Sequence, residues 1–263
     1  MLSPCATMPR AMQLSAAIIA RDEARHIAGC INSLVGLADE VVVLLDDRTH
    51  DDTVAVGVAL GARVISAPWR GFPAQRNHAL DVCRAPWVLF IDADERVEPD
   101  LATEIRQVIA RPSAADGYWI PRHNIFFGQT LRGGGWYPDP QLRLLRRTAA
   151  RYDEGRLVHE FAQLQGAAGT LHGHLTHHNI EALGEFWRKQ TGYALAEART
   201  MASLGRRARA RNFVGAPARA LWHRYVALGG WRDGPLGLFL CSSLAWFELV
   251  NFAFLLLITP DDG

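Results

Sequence analysis

Cysteine is scarce in this sequence, which limits how the chain can be stabilised. Four cysteines are present, with no CxxC pair and no closely spaced framework. A small domain held together by disulfides is therefore not expected, and the pattern is typical of reduced thiols in a cytosolic setting. The four are Cys5, Cys30, Cys83 and Cys241.

Net charge is also nearly absent, at +1. No global charge therefore points to nucleic acid, and we expect no nucleic-acid partner. The chain has no GxxxxGK[ST] motif and no GxGxxG in its first strand–helix turn, which disfavours a P-loop ATPase and a Rossmann dehydrogenase. The segment 1–11 lacks the apolar core of a signal peptide and is predicted to be a disordered leader.

The sequence does contain a repeated alternation of apolar runs and helical periodicity. Four short apolar runs are each followed by a segment with helical spacing, and they cover 14–20, 40–47, 62–67 and 87–91. This alternation predicts an α/β fold with a doubly wound, mostly parallel sheet and right-handed crossovers. After about residue 112 the chain is rich in aromatic residues, Gly and Pro, which indicates a mixed or antiparallel extension.

The last part of the chain has a different composition, and we predict a helical, membrane-associating extension at 181–263. Helical periodicity is followed by a basic segment, 206–211, and then by an apolar run, 236–258, whose one ionisable residue is Glu248. A membrane span needs about 20 apolar residues. The polar residues make this run an imperfect span, so an interfacial position is an alternative. A buried core helix is a second alternative.

Acidic residues gather where three of the predicted strands end. The carboxyl ends of parallel strands share one edge of a sheet, so three acidic clusters there favour a site that contains a cation. A solvated turn or a helix cap would explain any single cluster. Asp92 and Asp94, two apart on an extended segment, are expected to face the same way. They would bind Mg²⁺ or Mn²⁺ with a nucleotide diphosphate. The clusters are Asp22-Glu23, Asp46-Asp47 with Asp51-Asp52, and Asp92, Asp94 and Glu95.

Four segments resemble motifs of the family 2 inverting glycosyltransferases with the GT-A fold: LSAAIIARDEARHIAGCINSL, VVVLLDDRTHDDT, GFPAQRNHAL and WVLFIDADE. GYWIPRHNIFFG, GGWYPDPQLRLLRR and RLVHE resemble the bacterial lipopolysaccharide-core glucosyltransferases that act on heptose. The resemblance implies a GT-A domain at 12–180 that transfers a hexose, with UDP-glucose as the expected donor, to a lipid-linked heptose. It departs from the family at Arg48 and His50, where small residues are usual. These larger side chains would narrow the nucleotide pocket or contact a phosphate.

The resemblance also implies roles for individual residues on the donor side. Asp94, the last acid of the DxD motif, matches a metal ligand, with Asp92 holding metal or ribose. Arg76 matches a residue near the nucleotide and would offset carboxylate charge, although a simple ion pair explains it too. A helix cap is likewise an alternative for Asp46. The acids that match the nucleoside pocket are Glu23, Asp46 and Asp47.

On the acceptor side, an inverting transfer needs a base that takes the proton of the attacking hydroxyl. Glu160 matches the family's acidic pair after an arginine-rich strand, and His159 would orient it or contact phosphate. Asp139 in WYPDP is the alternative base, although a turn residue between two prolines explains it as well.

His177 or His178 is considered as a further ligand of the ion. The favoured explanation of the alternating histidines is instead a half-exposed strand.

A membrane-associated enzyme fits a lipid-linked acceptor, so we expect a peripheral or tail-anchored protein on the cytoplasmic face of the inner membrane. A transferase that acts on polyprenyl phosphate is one alternative. A membrane-tethered scaffold that binds a nucleotide sugar without catalysis is another. Such a scaffold is expected to have lost its site acids, whereas Asp92, Asp94 and Glu160 are all present.

Overall fold

The computed structural model describes residues 11–111, 115–155 and 162–258 of the chain. Residues 1–10 of the predicted leader lie outside the described residues, as do the expected base Glu160 and its neighbour His159. The backbone divides into two compact units, Met1–Pro121 with Pro140–Thr176, and Arg122–Asp139 with His177–Gly263.

Strands and helices alternate through the first half of the chain, and helices dominate the end. The elements are β1 (Leu14–Ala20), α1 (Ile27–Ser33), β2 (Glu40–Asp46), α2 (Thr53–Ala59), β3 (Arg63–Ala67), α3 (Phe72–Val82), β4 (Trp87–Phe90), β5 (Glu95–Val97), α4 (Pro99–Ile109), β6 (Gly117–Ile120), β7 (Arg122–Phe126), β8 (Gln129–Thr130), β9 (Gln141–Arg146), β10 (Ala150–Arg151), β11 (Gln163–Leu164), β12 (Ala168–Thr170), β13 (Leu175–Ile180), α5 (Leu183–Ser203), α6 (Asn212–Leu221) and α7 (Gly234–Leu257). A π-helical turn, Trp222–Ala227, and a 3-10 turn, Gly230–Asp233, separate α6 from α7.

The first unit contains a seven-stranded sheet in the order β12-β6-β9-β4-β1-β2-β3. β1 is parallel to both β2 and β4, β2 is parallel to β3, and β12 is parallel to β6. β9 is antiparallel to its two neighbours, β4 and β6. The predicted doubly wound, mostly parallel sheet is therefore confirmed, with β9 as part of the predicted antiparallel extension. The strand order reverses between β1 and β4, where sheets of this kind bind ligands.

Both faces of the sheet are covered, because successive residues of its central strands pack into different cores. Leu14, Ala16 and Ile18 of β1 join a core with residues of α1 and α4, whereas Ala17 joins a core with residues of α3. Each fully buried leucine or isoleucine contributes about 1.5–3 kcal/mol. Pro73 lies in the first turn of α3, where its missing N–H costs nothing. The strand ends are thus held by a well-packed scaffold.

The second unit combines a small sheet with three helices. β13, β7 and β8 are neighbouring strands in that order. α5 packs against α7 through an aromatic cluster in which the rings of Phe186 and Phe247 meet edge to face, with centroids 6.5 Å apart. The helical C-terminal region expected from the sequence is present from Leu183 onwards.

α7 and the 3-10 turn before it form the stretch Gly230–Leu257, which is long and apolar enough to cross a membrane. About a third of its most apolar window is buried within the protein. Large apolar side chains remain exposed along the helix, including Trp246, Leu256 and Leu257. The stretch is therefore a candidate membrane-association element.

Candidate functional site

The residues Asp92 to Glu95 form a tight turn directly after β4. The N–H of Glu95 donates to the carbonyl oxygen of Asp92 at 2.9 Å, and the N–H of Asp92 donates to Oε2 of Glu95 at the same distance. Glu95 is fully buried, whereas Asp92 and Asp94 are partly exposed. The extended segment expected for these two aspartates is therefore a turn, because the Glu95 carboxylate folds the chain back on itself.

Arg143, on β9, supplies the positive charge that this turn requires. Its Nη2 contacts Oδ2 of Asp92 and lies 2.9 Å from Oε1 of Glu95, and its Nη1 lies 3.2 Å from Oδ1 of Asp92. Burial opposes the charged guanidinium, but Asp92 and Glu95 outweigh it and raise the pKa of Arg143. A carboxylate buried without such a partner would be strongly destabilising. The ion pairs therefore hold both carboxylates at the end of β4.

Glu23, which follows β1, experiences a net negative environment. Burial, the largest cause, and the nearby carboxylates of Asp94, Asp51, Asp92 and Asp22, in that order of size, together raise the pKa of Glu23 to about 7. Three carboxylates from the ends of β1 and β4 are thus close enough to repel one another. We call Glu23, Asp92, Asp94 and Arg143 the acidic site.

The loops after β1 and β2 are joined by hydrogen bonds. Oδ1 of Asp22 accepts the N–H of His50 at 2.7 Å. Oδ2 of Asp51 accepts the N–H of Ala24 at 2.8 Å, and Oδ1 accepts the N–H of Thr53 at 3.0 Å. Asp51 therefore serves the first turn of α2 as well as the neighbouring loop. These contacts fix the loop that carries Glu23.

Asp46, at the end of β2, is held by Arg48. The side chain of Arg48 donates to both oxygens of Asp46, at 2.9 and 2.7 Å, and its backbone N–H donates at 3.0 Å. The hydrogen bonds of the Arg48 side chain hold the pKa of Asp46 well below its usual range. Asp47 is exposed. Arg48, one of the two departures from the family motif, thus binds an acid of the expected nucleoside pocket.

Arg76 lies on α3 beside two aromatic rings. Its guanidinium carbon is 5.7 Å from the centroid of Phe72 and 5.3 Å from that of Tyr152. This is the geometry of a cation–π interaction. The alternative of an ion-pair partner for the acids is not tested by these contacts, and the expected position near the nucleotide stays a prediction.

Asp139, the alternative base, belongs to a polar network in the second unit. Its Oδ2 accepts Nε and Nη2 of Arg122 at 2.9 and 2.6 Å and Nδ2 of Asn124 at 2.9 Å. Oδ1 of Asn124 in turn lies 2.6 Å from Nδ1 of the buried His177. Hydrogen bonds to a carboxylate stabilise its charged form and make it a weaker base.

The side chains of the acidic site fit a hard divalent cation. Carboxylate oxygens are the ligands that Mg²⁺ and Mn²⁺ prefer. Arg143 offsets Asp92 and Glu95, yet Asp94 and Asp92 still contribute, after burial, to the raised pKa of Glu23. A cation beside Asp94 would offset that contribution.

Arg143 is the residue of this site that sequence reasoning missed. The sequence required a positive partner for Asp92 to Glu95, and Arg76 was the expected one. The signal for Arg143 is its position in QLRLLRR, where it stands among leucines on a strand and precedes the buried Leu144 and Leu145. An arginine on an inward-facing strand position indicates a buried ion pair.

The comparisons with known proteins identify the class of the chain. The sequence profile of glycosyl transferase family 2 matches residues 15–162, more than half of the chain, and the chain belongs to this family. It is therefore a glycosyltransferase, an enzyme of class EC 2.4, with the expected GT-A type of α/β fold. The family resemblance drawn from the four sequence motifs is confirmed.

A curated relative adds a biological setting. The chain is 29% identical over 232 residues to the lipopolysaccharide core biosynthesis glycosyltransferase LpsC of Rhizobium meliloti (strain 1021), covering 86% of this chain and 85% of that protein. It is 44% identical over 98 residues to an uncharacterized glycosyltransferase of Rickettsia felis, of which the match spans 34%. The resemblance to lipopolysaccharide-core enzymes is thus confirmed.

Two solved structures are among those that resemble the chain. The S. aureus TarS 1–349 complex with UDP-GlcNAc is 14% identical with a TM-score of 0.49, over 93% of this chain and 90% of that chain. Glucosyl-3-phosphoglycerate synthase from Mycobacterium tuberculosis, in complex with Mn²⁺, UDP and glucosyl-3-phosphoglycerate, is 21% identical with a TM-score of 0.42, over 67% of this chain and 75% of that chain.

Proposed function

We propose that this protein is an inverting glycosyltransferase that moves a hexose, glucose from UDP-glucose, to the heptose of a lipid-linked lipopolysaccharide inner core. The observation that carries the proposal is the acidic site, because it lies at the carboxyl ends of β1 and β4, where the strand order reverses. The similarity to LpsC over most of both chains supports the lipopolysaccharide acceptor.

Asp92 and Asp94 would hold Mg²⁺ or Mn²⁺, with Asp94 as the main ligand because it is the last acid of the DxD motif. Such an ion neutralises the charge that develops on a diphosphate leaving group. Arg143 fixes the Asp92 carboxylate at the end of β4, so its orientation is set before the donor binds. Glu23 shares the negative field of this site and would lie beside the bound nucleotide.

The remaining donor contacts follow from the loop beyond β2 and from α3. Asp46 and Asp47 would line the nucleoside pocket, with Asp46 held in one orientation by Arg48. Arg76, braced against two aromatic rings, would contact the diphosphate. A guanidinium braced in this way loses little freedom on binding a phosphate.

We assign the base that deprotonates the acceptor hydroxyl to Glu160, with His159 to orient it. Asp139 is the weaker candidate, because one of its oxygens accepts three hydrogen bonds, two of them from Arg122. Such a carboxylate serves better as a fixed anchor for its loop than as a proton acceptor.

We place the enzyme on the cytoplasmic face of the inner membrane, with a catalytic domain at 12–180 and the membrane-associating region at 181–263. Exposed apolar side chains on α7 support this placement, as does Trp222, which is 63% exposed beside Arg219. Tryptophan and arginine are suited to the boundary between headgroups and acyl chains.

Two alternatives compete with this proposal. A transferase specific for polyprenyl phosphate would explain the membrane element but not the similarity to LpsC. A scaffold without catalysis would explain nucleotide binding but does not need the retained acids Asp92, Asp94 and Glu160.

A donor and acceptor panel separates these possibilities. The full chain is incubated with UDP-glucose, other UDP-sugars and Mg²⁺ or Mn²⁺, and UDP release is followed with and without deep-rough lipopolysaccharide. We expect release that depends on the metal, on UDP-glucose and on the lipopolysaccharide. Stimulation by a polyprenyl phosphate alone supports the first alternative, and donor binding with no release under any condition supports the scaffold.

A further inference from the structure

The second unit contains a cavity of about 560 Å³ that has no part in the acidic site. We call it the basic cavity, and it is lined by His123, Thr130, Arg132, Tyr137 and Arg232. Its volume is in the range of cavities that bind small molecules. Two arginines and no acid among these residues indicate an anionic ligand.

A buried carboxylate fixes the two backbone segments that carry the arginines. Asp233 is 4% exposed and accepts the N–H of Arg132 at 2.7 Å and the N–H of Gly133 at 3.0 Å. Its own carbonyl oxygen accepts Nε2 of Gln129 at 3.1 Å. Because Asp233 adjoins Arg232 in the chain, this clamp sets Arg132 and Arg232 beside one cavity.

The clamp depends on a close approach of two backbones. A Cβ atom at Gly133 would lie 2.0 Å from the carbonyl oxygen of Gly229. Only glycine fits there. The segment 129–133 therefore packs closely against the 3-10 turn. This packing restricts the movement of the backbone that carries Arg132 and Arg232.

The Asp233 carboxylate does not neutralise the positive charge of the basic cavity. The Asp233 carboxylate accepts backbone N–H groups, and among the described residues neither Arg132 nor Arg232 has an ion-pair partner. The guanidinium of Arg232 lies over the ring of Trp231 at 5.6 Å, which leaves its N–H groups in the plane available to a ligand. Guanidinium groups bind phosphate through paired hydrogen bonds.

An aromatic surface completes the basic cavity. The rings of His123 and Tyr137 are stacked, with centroids 5.5 Å apart and an angle of 18° between their planes. Tyr137 is 39% exposed, so part of its ring is open to a ligand. A flat ring offers apolar surface for the C–H face of a sugar, and its hydroxyl adds a polar group.

We propose that the basic cavity binds a phosphorylated saccharide, with Arg132 and Arg232 on the phosphate and Tyr137 against the sugar ring. The inference rests on the proposed function in one respect, since we take the saccharide to be part of the acceptor. It narrows the acceptor to a glycan that carries a phosphate monoester. A phosphate monoester has a charge of about −1.5 to −2 at pH 7, which suits two guanidinium groups.

Direct binding tests the proposal without any catalytic step. Mannose 6-phosphate, mannose and inorganic phosphate are titrated into the full chain by calorimetry, without donor or metal. Phosphatidylglycerol vesicles are tested by flotation as the lipid source of phosphate. We expect mannose 6-phosphate to bind at least about tenfold more tightly than mannose or inorganic phosphate, because it contacts the two arginines and Tyr137 together. Equal affinity for mannose 6-phosphate and inorganic phosphate, or a response to vesicles alone that depends on these arginines, overturns the proposal.

Variants separate the contribution of the two arginines, which are proposed to bind the phosphate, from that of Tyr137, which is proposed to contact the sugar ring. Arg132→Gln and Arg232→Gln should each weaken mannose 6-phosphate binding by about tenfold or more, because each removes charge-assisted hydrogen bonds. Tyr137→Ala should weaken mannose 6-phosphate while leaving inorganic phosphate unchanged. Arg188→Gln is the matched control, an exposed arginine on α5 that should bind like the parent protein. If the control lost as much affinity as Arg132→Gln, the binding would be non-specific attraction.

A second pair of acceptors separates this proposal from the proposed function. UDP release is measured with deep-rough lipopolysaccharide before and after removal of its phosphates with hydrofluoric acid. If the phosphorylated form is preferred, and Arg132→Gln removes the preference but not the metal-dependent binding of UDP, both proposals hold. If UDP does not bind while mannose 6-phosphate still does, the proposed function fails and the saccharide site stands. If UDP release is normal with either acceptor, the saccharide site fails alone.

Discussion

The acidic site and the basic cavity differ in the sign of the charge that their side chains leave available to a ligand. In the acidic site, Arg143 offsets Asp92 and Glu95, but Glu23 still experiences the field of Asp94 and its pKa is raised. In the basic cavity, the carboxylate of Asp233 is occupied by backbone N–H groups, so the charge of Arg132 stays available. One site is therefore suited to a cation and the other to an anion.

The difference shows that the role of a charged residue depends on what its neighbours have already neutralised. Asp46 and Asp94 both follow apolar strands in acidic motifs, yet Asp46 is held by Arg48 through three hydrogen bonds. Asp94 instead contributes to the repulsion at Glu23. Asp46 therefore has a structural role, whereas the carboxylates that gather around Glu23 favour a cation.

The largest effect is expected from Asp94→Asn, which removes the main proposed ligand of the cation. We expect kcat/KM to fall by about 10³-fold or more, since a metal contributes several kcal/mol to stabilising the leaving group. Metal-dependent UDP binding should weaken in parallel, measured by calorimetry with Mn²⁺. Asp81→Asn on α3, an equal change of charge at an exposed position, should be neutral. Normal turnover by Asp94→Asn would remove the basis for a metal at the acidic site.

Glu160→Gln and Asp139→Asn compare the two candidate bases. Loss of a general base typically lowers turnover by about 10² to 10⁴-fold. We expect that loss for Glu160→Gln, with metal-dependent UDP binding unchanged, and less than about tenfold for Asp139→Asn, whose carboxylate anchors Arg122. The measurement is single-turnover sugar transfer across a range of pH. The opposite ranking would move the base to Asp139.

Arg143→Ala tests the ion pairs that hold Asp92 and Glu95 in the acidic site. Removing one partner from a buried ion pair costs about 3–5 kcal/mol. The free energy of unfolding in urea should fall by that amount, because Glu95 would be left buried and charged. Arg151→Ala is the control, since the Arg151–Asp81 pair is exposed on both sides and should contribute less than about 1 kcal/mol. Equal losses in the two variants would mean that Arg143 is not a buried partner.

Much of the fold follows from the sequence because it depends on periodic patterns. The alternation of apolar runs and helical spacing is a local property, and it correctly placed β1 to β4 and α1 to α4. The Arg122–Asp139 segment is harder, because its strands are short and its partners are distant in sequence. Asp139 bonds to Arg122 and Asn124, which no local pattern indicates.

The acidic site was only partly predictable for the same reason. The clustering of Glu23, Asp92 and Asp94 follows from parallel strands that end at one edge. Predicting Arg143 as the cationic partner would require knowing that β9 lies beside β4. That antiparallel pairing joins strands distant in sequence. No local pattern around Arg143 indicated this partner. The sequence predicted the charge that was needed without predicting its source.

Glu23→Gln probes the smallest expected effect, which comes from the raised pKa of Glu23 in the acidic site. The pKa of Glu23 is raised from 4.5 to about 7 in the folded protein. Between these values the folded state binds a proton that the unfolded state has lost. The Glu23 contribution to stability is therefore fully present below about pH 4.5 and lost as pH rises through about 7.

In EDTA, the parent protein should accordingly lose part of its free energy of unfolding between pH 5 and 7, and Glu23→Gln should lose less over the same range. Urea unfolding at a series of pH values measures the difference. Glu154→Gln, an exposed position in the turn after β10, is the control and should keep the parent's pH dependence. Mn²⁺ should flatten the parent's curve, because a bound cation offsets the carboxylate field at Glu23. Parallel curves for the parent and Glu23→Gln would show that the pKa of Glu23 is not raised, and the contrast with the basic cavity would lose its physical basis.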